Sequence, residues 1–465
     1  MRKANTSAAT RRKPTPARLP SVEQAHIVGS KVDTFPPLVD PADATDSQPD
    51  CATCGLTESI ATNGVCFPSA PGSALDALKA QSDSHCYHRA LKQITTAITR
   101  THDKHEHRIL AQTLNSMHSL GWAARASAFS SPLGYLDTDS QRPEGIDQRE
   151  HAAIDRQLFR HLIGHPGTAP CVFVVSTNEI GKGLYFPHLH ATLKAQNGSH
   201  QVAIRQSLTG VHFVRSDGVS MTLPFGQLLP TSFDHELLRG EPVVGPLAVL
   251  NQVPEINTQL ESLGLAHDKH LNIAVEELES GIALLDRVWP DAGRALRCHV
   301  SAVVLLAPRG HSRSHSPVEL CGTIIMTTGT PVSVGDMLCH ESSHIRMHHL
   351  KAVDSVMVVR NGSSKRRRFE SPWRPDPRPL DGLLLGVHAF LNVCGWYSRL
   401  AEFDETLQSH SRLIHERQSA KVREAFKLLC KYGKSTPNGS MLIKEFSDAV
   451  ENLAISQCSM DKKNA

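Results

Sequence analysis

Residues 322–350 read GTIIMTTGTPVSVGDMLCHESSHIRMHHL, and this stretch decides how the chain is organised around its chemistry. Gly322–Thr328 is a short apolar run with β-branched residues, the pattern of a buried strand. Ser333, followed three places later by Asp336, is a capping signal that starts a helix running toward Val353. That helix carries the run His340-Glu341-Ser342-Ser343-His344. Two histidines four residues apart project from one helix face a turn apart, where their imidazoles can share one divalent ion. Glu341 sits beside that face, as a base or as a partner that orients a ligand imidazole. A helix with histidines on a solvated face is the competing reading, and the neighbouring His348 and His349 lend it weight.

A third metal ligand must come from outside the motif. The extended form HExxHxxGxxH is absent, because His344 is followed by IRMHHL. His388, on the apolar helix expected at Gly382–Leu400, is the best-placed candidate; a core histidine bonded to a carbonyl is its bland alternative. Asp381 and Glu402 lie toward the ends of that helix and are weaker candidates.

Upstream, Val300–Leu306 is a second buried-strand candidate. Leu271–Val288 places Ile273, Val275, Leu278, Ile282 and Leu285 on one helical face, within a stretch 233–295 expected to be helical. Cys171–Ser176 and Val202–Val214 look like strands, and residues 73–163 recur at helical spacing. Downstream, Ser363–Arg368 is a basic loop, Ser371–Pro379 (SPWRPDPRP) is too rich in proline to be regular, and 401–455 should hold two or three more helices. The expected fold is therefore α+β and predominantly helical, with the HExxH-bearing helix preceded by short strands. Three regions follow: a disordered basic, Pro-rich tail over 1–50, a mostly helical N-terminal region over 51–295, and a metal-binding catalytic domain over 296–465.

Composition narrows the function classes. Forty-nine basic against 46 acidic residues leave a charge near neutral, which argues against nucleic acid or a strongly acidic partner as the main substrate. The longest apolar runs fall far short of the roughly 20 residues that span a bilayer, so no membrane association is expected. The first twenty residues are basic and lack the apolar core of a secretory signal. Eleven scattered cysteines in so long a chain fit a reducing cytoplasm better than a disulfide framework. Cys51-x-x-Cys54 with Cys66, Cys86 and His88 is an incomplete zinc knuckle, and His188-x-His190 is a histidine pair without a carboxylate partner.

From about Ser312 to Leu400 the order strand, HESSHIRMHHL, then FESPWRPDPRPLDGLLLGVHAFLNVCGWYSRL resembles the HExxH-motif peptide-modification proteins of ribosomal-peptide clusters. The Pro372–Leu380 stretch followed by the Gly-Leu-Leu…Ala-Phe helix carries more of that resemblance than the metal motif does. The resemblance implies an Fe(II)- and 2-oxoglutarate-dependent peptide β-hydroxylase acting on a ribosomally synthesised precursor peptide. It implies that His340, His344 and His388 hold the iron, and that Arg378, with Arg374 close behind, binds the far carboxylate of 2-oxoglutarate through a planar guanidinium. Trp373 would pack over the site or the following helix. Members of the family carry a histidine nearer the position of Leu385 and an aromatic residue around His388, so the ligand has shifted by about one helical turn here. In this scheme Glu341 orients a ligand or a water. A zinc metallopeptidase with Glu341 as general base, or a non-catalytic peptide-binding partner, are the alternatives. For the arginines, pairing with Asp376 to staple the loop is the bland alternative.

Overall fold

The computed structural model describes Ser82 and residues 163–464, apart from 165–170, 178–182, 195–199, 226–228, 230–232, 242, 251–267, 309–311, 318–321 and 361–366. The tail over 1–50, the helical pattern over 73–162 apart from Ser82, the Cys51–Cys54 group and most of the basic run 363–368 lie outside the described residues. The chain divides into two units, Met1–Cys54 and Gly55–Ala465, and everything below belongs to the second.

The fold is mixed α+β. From residue 163 on, the described residues open with strands: β1 (Cys171–Ser176), β2 (Gly183–Phe186), β3 (Ala191–Lys194), β4 (Gln201–Gln206), β5 (Gly210–Arg215), β6 (Ser220–Pro224) and β7 (Leu238–Gly240). These form an antiparallel sheet in the order β1-β4-β5-β6 and a smaller one in the order β2-β3-β7. In β4 the alternation of Val202, Ile204 and Gln206 inward with Gln201 and Arg205 outward is that of a strand with one dry face. The inward residues of both sheets share one core, where Phe186 meets Phe213 edge to face at 5.7 Å.

The second sheet system holds the HExxH region. β8 (Val243–Val244) and β9 (Leu247–Leu250) form a hairpin around Gly245, whose φ of +59° is one that glycine adopts readily. Helices α1 (Asp268–Val288) and α2 (Pro290–His299) then cross over to β10 (Ala302–Leu305), which lies parallel to β9. After β11 (Ser314–His315) comes β12 (Thr323–Met326), parallel to β10, giving the order β11-β12-β10-β9-β8. β10 and β12 are buried along their whole length. Val303, Leu305, Ile324 and Met326 face the helices, while Ala302, Val304 and Ile325 face Tyr185 of β2. Strands buried on both faces read as unbroken apolar runs, which is why they stand out in the sequence.

α3 (Pro331–Val353) leaves β12 and carries the HExxH run. β13 (Met357–Val359) follows, then the hairpin β14 (Phe369–Ser371) and β15 (Arg374–Arg378), then α4 (Leu380–Phe403), α5 (Gln408–Tyr432), β16 (Gly433–Ser435) and α6 (Pro437–Asn464). The C-terminal end of α3 packs with α4, α5 and α6 around Met347, Leu350, Leu384, Val387, Phe426 and Phe446.

Four expectations change. The stretch 233–295 is not helical throughout: β7, β8 and β9 occupy 238–250, and α1 begins only at Asp268. Among the described residues the region 163–250 is therefore strand-rich rather than mostly helical. The boundary expected at residue 296 falls inside α2, and β9, α1 and α2 belong to the sheet and core that carry α3. The helix start moves from Ser333 to Thr330, whose side chain accepts from the Ser333 backbone N–H at 3.3 Å with Pro331 in the first turn. The proline-rich stretch is regular after all, because Arg374 and Arg378 pair with Ser371 and Phe369 while Pro375 and Pro377 fall between them. In a two-stranded ribbon each strand is an edge, so the missing proline N–H groups leave no central ladder broken.

Gly335 of α3 lets the fully buried indole of Trp396 of α4 approach so closely that a Cβ there would lie 2.5 Å from the ring. Gly335→Leu should strain this contact by roughly 3 kcal/mol, against a helix-propensity gain of about 1 kcal/mol. A urea titration should register a net loss of about 2 kcal/mol; unchanged stability would mean that α3 and α4 are not held this closely.

Candidate metal centre

α3 is buried along most of its length, and its buried face is unusually polar: Glu341, Ser342, Ser343, Arg346, His348 and His349 are each under 9 % exposed. Each such group needs a partner, and the partners fix the site. Arg346 donates to Asn392 Oδ1 of α4 at 2.9 Å and to Ser343 Oγ at 3.1 Å, and Asn392 donates in turn to the His388 carbonyl at 2.9 Å. The Glu341 carboxylate accepts from Ser316 Oγ at 2.6 Å. This bond draws the segment after β11 against α3, where the backbone of Ser316 also meets the His348 imidazole.

His340 and His344 stand on the half-buried side of α3, their Nε2 atoms sharing a hydrogen bond at 3.1 Å and their rings nearly perpendicular. That separation is what two nitrogens bound about 2.1 Å from one ion at close to a right angle would show. Nδ1 of His344 is buried without a hydrogen-bond partner among the described residues. Burial holds the His344 pKa well below the usual imidazole range, and the nearby His340, His348, His388 and His315 push it further down. His344 is thus neutral at physiological pH, the form that can bind a metal.

The other expected site residues are placed as follows. His388 is fully buried in α4, stacked on Phe446 of α6 with centroids 5.8 Å apart, and close enough to His344 to act on its charge. Among the described residues, however, no group of three or more His, Cys, Asp or Glu side chains is arranged as a metal cage. The three-histidine set is therefore not assembled as the side chains stand. Arg378 is bound to Asp376 at 3.0 Å, and Arg374 is exposed. Asp376 and Arg378 lie two apart on one face of β15, so the pair sits within a single strand. Asp381 pairs with Lys351 of α3, and Glu402 is exposed near the end of α4. His188 and His190 sit in the β2–β3 connection, remote in sequence from α3, and the His190 pKa is lowered by burial.

Three side chains not among the expected site residues also contribute. Asp336 lies one turn before His340, accepts from Tyr397 Oη at 3.0 Å, and has its pKa raised by burial against the opposing influence of His340 and that hydrogen bond. Ser316 anchors Glu341. Phe390 of α4 lies crosswise to the His340 ring, centroids 4.8 Å apart. The signal for the first was present: Asp336, His340, His344 and His348 recur every four residues, one stripe along one face. The other two come from distant segments and leave no local trace.

Burial, with Lys351 nearby, lowers the His348 pKa to about 4, although Asp381 and the Ser316 backbone act in the opposite direction. A histidine whose folded pKa lies below its unfolded value stabilises the fold fully above about pH 6.5 and loses that contribution as pH falls toward 4. Metal-free protein should therefore lose stability across this window. His348→Gln should flatten the slope by up to about 3 kcal/mol over it. Chemical denaturation at several pH values measures this, and an identical slope in the variant would contradict it.

No protein-family model matches the chain, and no curated protein is significantly similar to it.

Proposed function

We propose that the chain is an Fe(II)- and 2-oxoglutarate-dependent oxygenase that hydroxylates the β-carbon of a side chain in a ribosomally synthesised peptide. The observation that carries the metal part is the convergence of the His340 and His344 Nε2 atoms at 3.1 Å. The resemblance over Ser312–Leu400 supplies the substrate class and the cosubstrate.

In this reading His340 and His344 hold the ion, and His388 completes the set by turning from its place on Phe446. Such a centre, when loaded, couples oxidative decarboxylation of 2-oxoglutarate to insertion of one oxygen atom of O₂ into a C–H bond. The chain's own residues do the rest. His344 presents a neutral imidazole because burial disfavours its charged form. Asp336, itself fixed by Tyr397, places a carboxylate one turn from His340. Arg378 exchanges its partner Asp376 for the far carboxylate of 2-oxoglutarate, a swap between two ligands of the same chemistry.

The position of Glu341 favours this reading over a zinc peptidase. A peptidase base must reach a metal-bound water. Glu341 is 3 % exposed and is bonded to Ser316 Oγ at 2.6 Å, which suits a structural anchor. Among the described residues no helix is long and apolar enough to cross a membrane.

The first test is anaerobic. Fe(II) and then 2-oxoglutarate are added to metal-free protein, and the visible charge-transfer band of the chelate is followed. The band should need both additions, vanish in His344→Ala, and weaken at least tenfold in cosubstrate affinity in Arg378→Gln. No band, together with tight zinc retention and peptide cleavage lost in Glu341→Gln, would overturn the oxygenase in favour of the peptidase. Peptide binding that survives His340→Ala, with no band, would leave a non-catalytic binding partner.

A further inference from the structure

Three rings run in series from the β14–β15 hairpin to the metal-facing histidine. Trp373 occupies the tip of the hairpin, between Ser371 and Arg374, which pair across it. Its indole lies parallel to the Phe390 ring, centroids 4.6 Å apart with 4° between planes. Phe390 meets His340 edge to face, at 4.8 Å and 77°. The series is anchored at its outer end. Trp373 Nε1 donates to Gln418 Oε1 of α5 at 3.3 Å. The indole also rests on Gly386, where a Cβ would come within 2.9 Å of it. Gly386 and Phe390 are one turn apart on α4, so one helix face offers both the notch for the indole and the ring that it stacks on.

We propose that Phe390 is a positioning residue for His340, with Trp373 as its anchor. This rests on the reading of His340 and His344 as metal ligands. An imidazole turns about its Cβ–Cγ bond, and to bind a metal it must be stopped at one angle while a ring nitrogen stays available. A hydrogen-bond partner on the wrong nitrogen would compete with the ion. A ring set crosswise against the imidazole restricts that rotation by contact and offers no hydrogen-bond partner to either nitrogen. The His344 ring lies instead beside that of His348, stacked with centroids 6.5 Å apart. His340, half-buried like His344 and sharing an Nε2 hydrogen bond with it, is the one of the two whose ring meets Phe390. Through Trp373 the same stack joins the orientation of His340 to the hairpin that carries Arg374 and Arg378, so a ligand that moves the hairpin also moves a metal ligand.

The experiment uses full-length, metal-free protein titrated anaerobically with Co(II), whose ligand-field absorption reports the geometry of its ligands. Phe390→Leu removes the ring and keeps apolar volume, whereas Phe390→Tyr keeps the ring. The expected result is Co(II) binding weakened about tenfold in Phe390→Leu, with a shifted band, and wild-type affinity and spectrum in Phe390→Tyr. Gln418→Ala releases the indole without opening the core and should shift the band in the same direction with a smaller loss, about threefold. If Phe390→Leu loses its helical circular dichroism, Gln418→Ala decides the matter by the same criterion. Wild-type affinity and an unshifted band in Phe390→Leu and Gln418→Ala would overturn the positioning role and leave the metal site standing. Absence of any Co(II) band in the wild type, or a band that survives His344→Ala, would overturn the metal site and this role with it.

Discussion

A helix packed on nearly every side that still carries a glutamate, an arginine and several histidines has to find a partner for each of them. That constraint on α3 shapes the rest of the C-terminal half. Buried polar groups without partners cost on the order of 1–3 kcal/mol each, so their partners are fixed points of the fold. Arg346 requires Asn392 and thereby sets the register of α4 against α3. Glu341 requires Ser316 and thereby draws in the segment after β11. His349 shares a hydrogen bond with His299 at the end of α2, Nδ1 to Nδ1 at 2.8 Å, which ties the crossover helices to the same element. With three sides of α3 taken up in this way, His340 and His344 are left on the side that remains partly open.

What could be read from the sequence follows from how local each signal is. β10 and β12 are short apolar runs because both of their faces are covered, and α3 follows β12 across a turn with its own capping chemistry. The misplaced cap at Ser333 has a simple cause: Thr330 and Ser333 are both capping residues, three apart, and Pro331 was the cue that the helix begins earlier. β8 and β9 were missed because Val243-Val244 and Leu247–Leu250 are too short for a periodicity to show. Their cue was the Gly245-Pro246 punctuation between two apolar pairs. In Ser371–Pro379 the prolines hid a hairpin because the residues that carry its pairing are the arginines between them. The site was half legible for the same reason. The i, i+4 pair on α3 is a local pattern, whereas Ser316 and Phe390 reach it only through tertiary packing.

The arginines show how a residue type can be recognised while its present partner is not. Two guanidinium groups in a short stretch suit a dicarboxylate, but alternation on β15 puts Asp376 on the same face as Arg378, and a carboxylate within the chain takes the place. The pair is partly exposed, so its net contribution to stability is small and exchange for another carboxylate is cheap. An ion pair that weak neither anchors the hairpin nor blocks a ligand. The hairpin is held instead by the Trp373 indole on Gly386 and by Gln418.

The same reasoning bears on the third ligand. The buried Arg346–Asn392 hydrogen bond fixes the height of α4 against α3, and the weaker Lys351–Asp381 pair lies on the other side of residue 388. Position 385, one turn away on the same side of α4, holds Leu385 packed with the apolar cluster of Leu383, Leu384 and Val387. A histidine that serves His340 and His344 must therefore reach them by its own rotation rather than by movement of its helix. For His388 that rotation gives up the stack on Phe446, and the hydrogen bond from Asn392 to the His388 carbonyl keeps the backbone in place while it happens. The loss of one aromatic contact, of order 1 kcal/mol, is small beside the free energy of a third metal bond. In the proposed oxygenase, recruiting His388 to an ion on the first two histidines would therefore cost one aromatic contact and no helix movement.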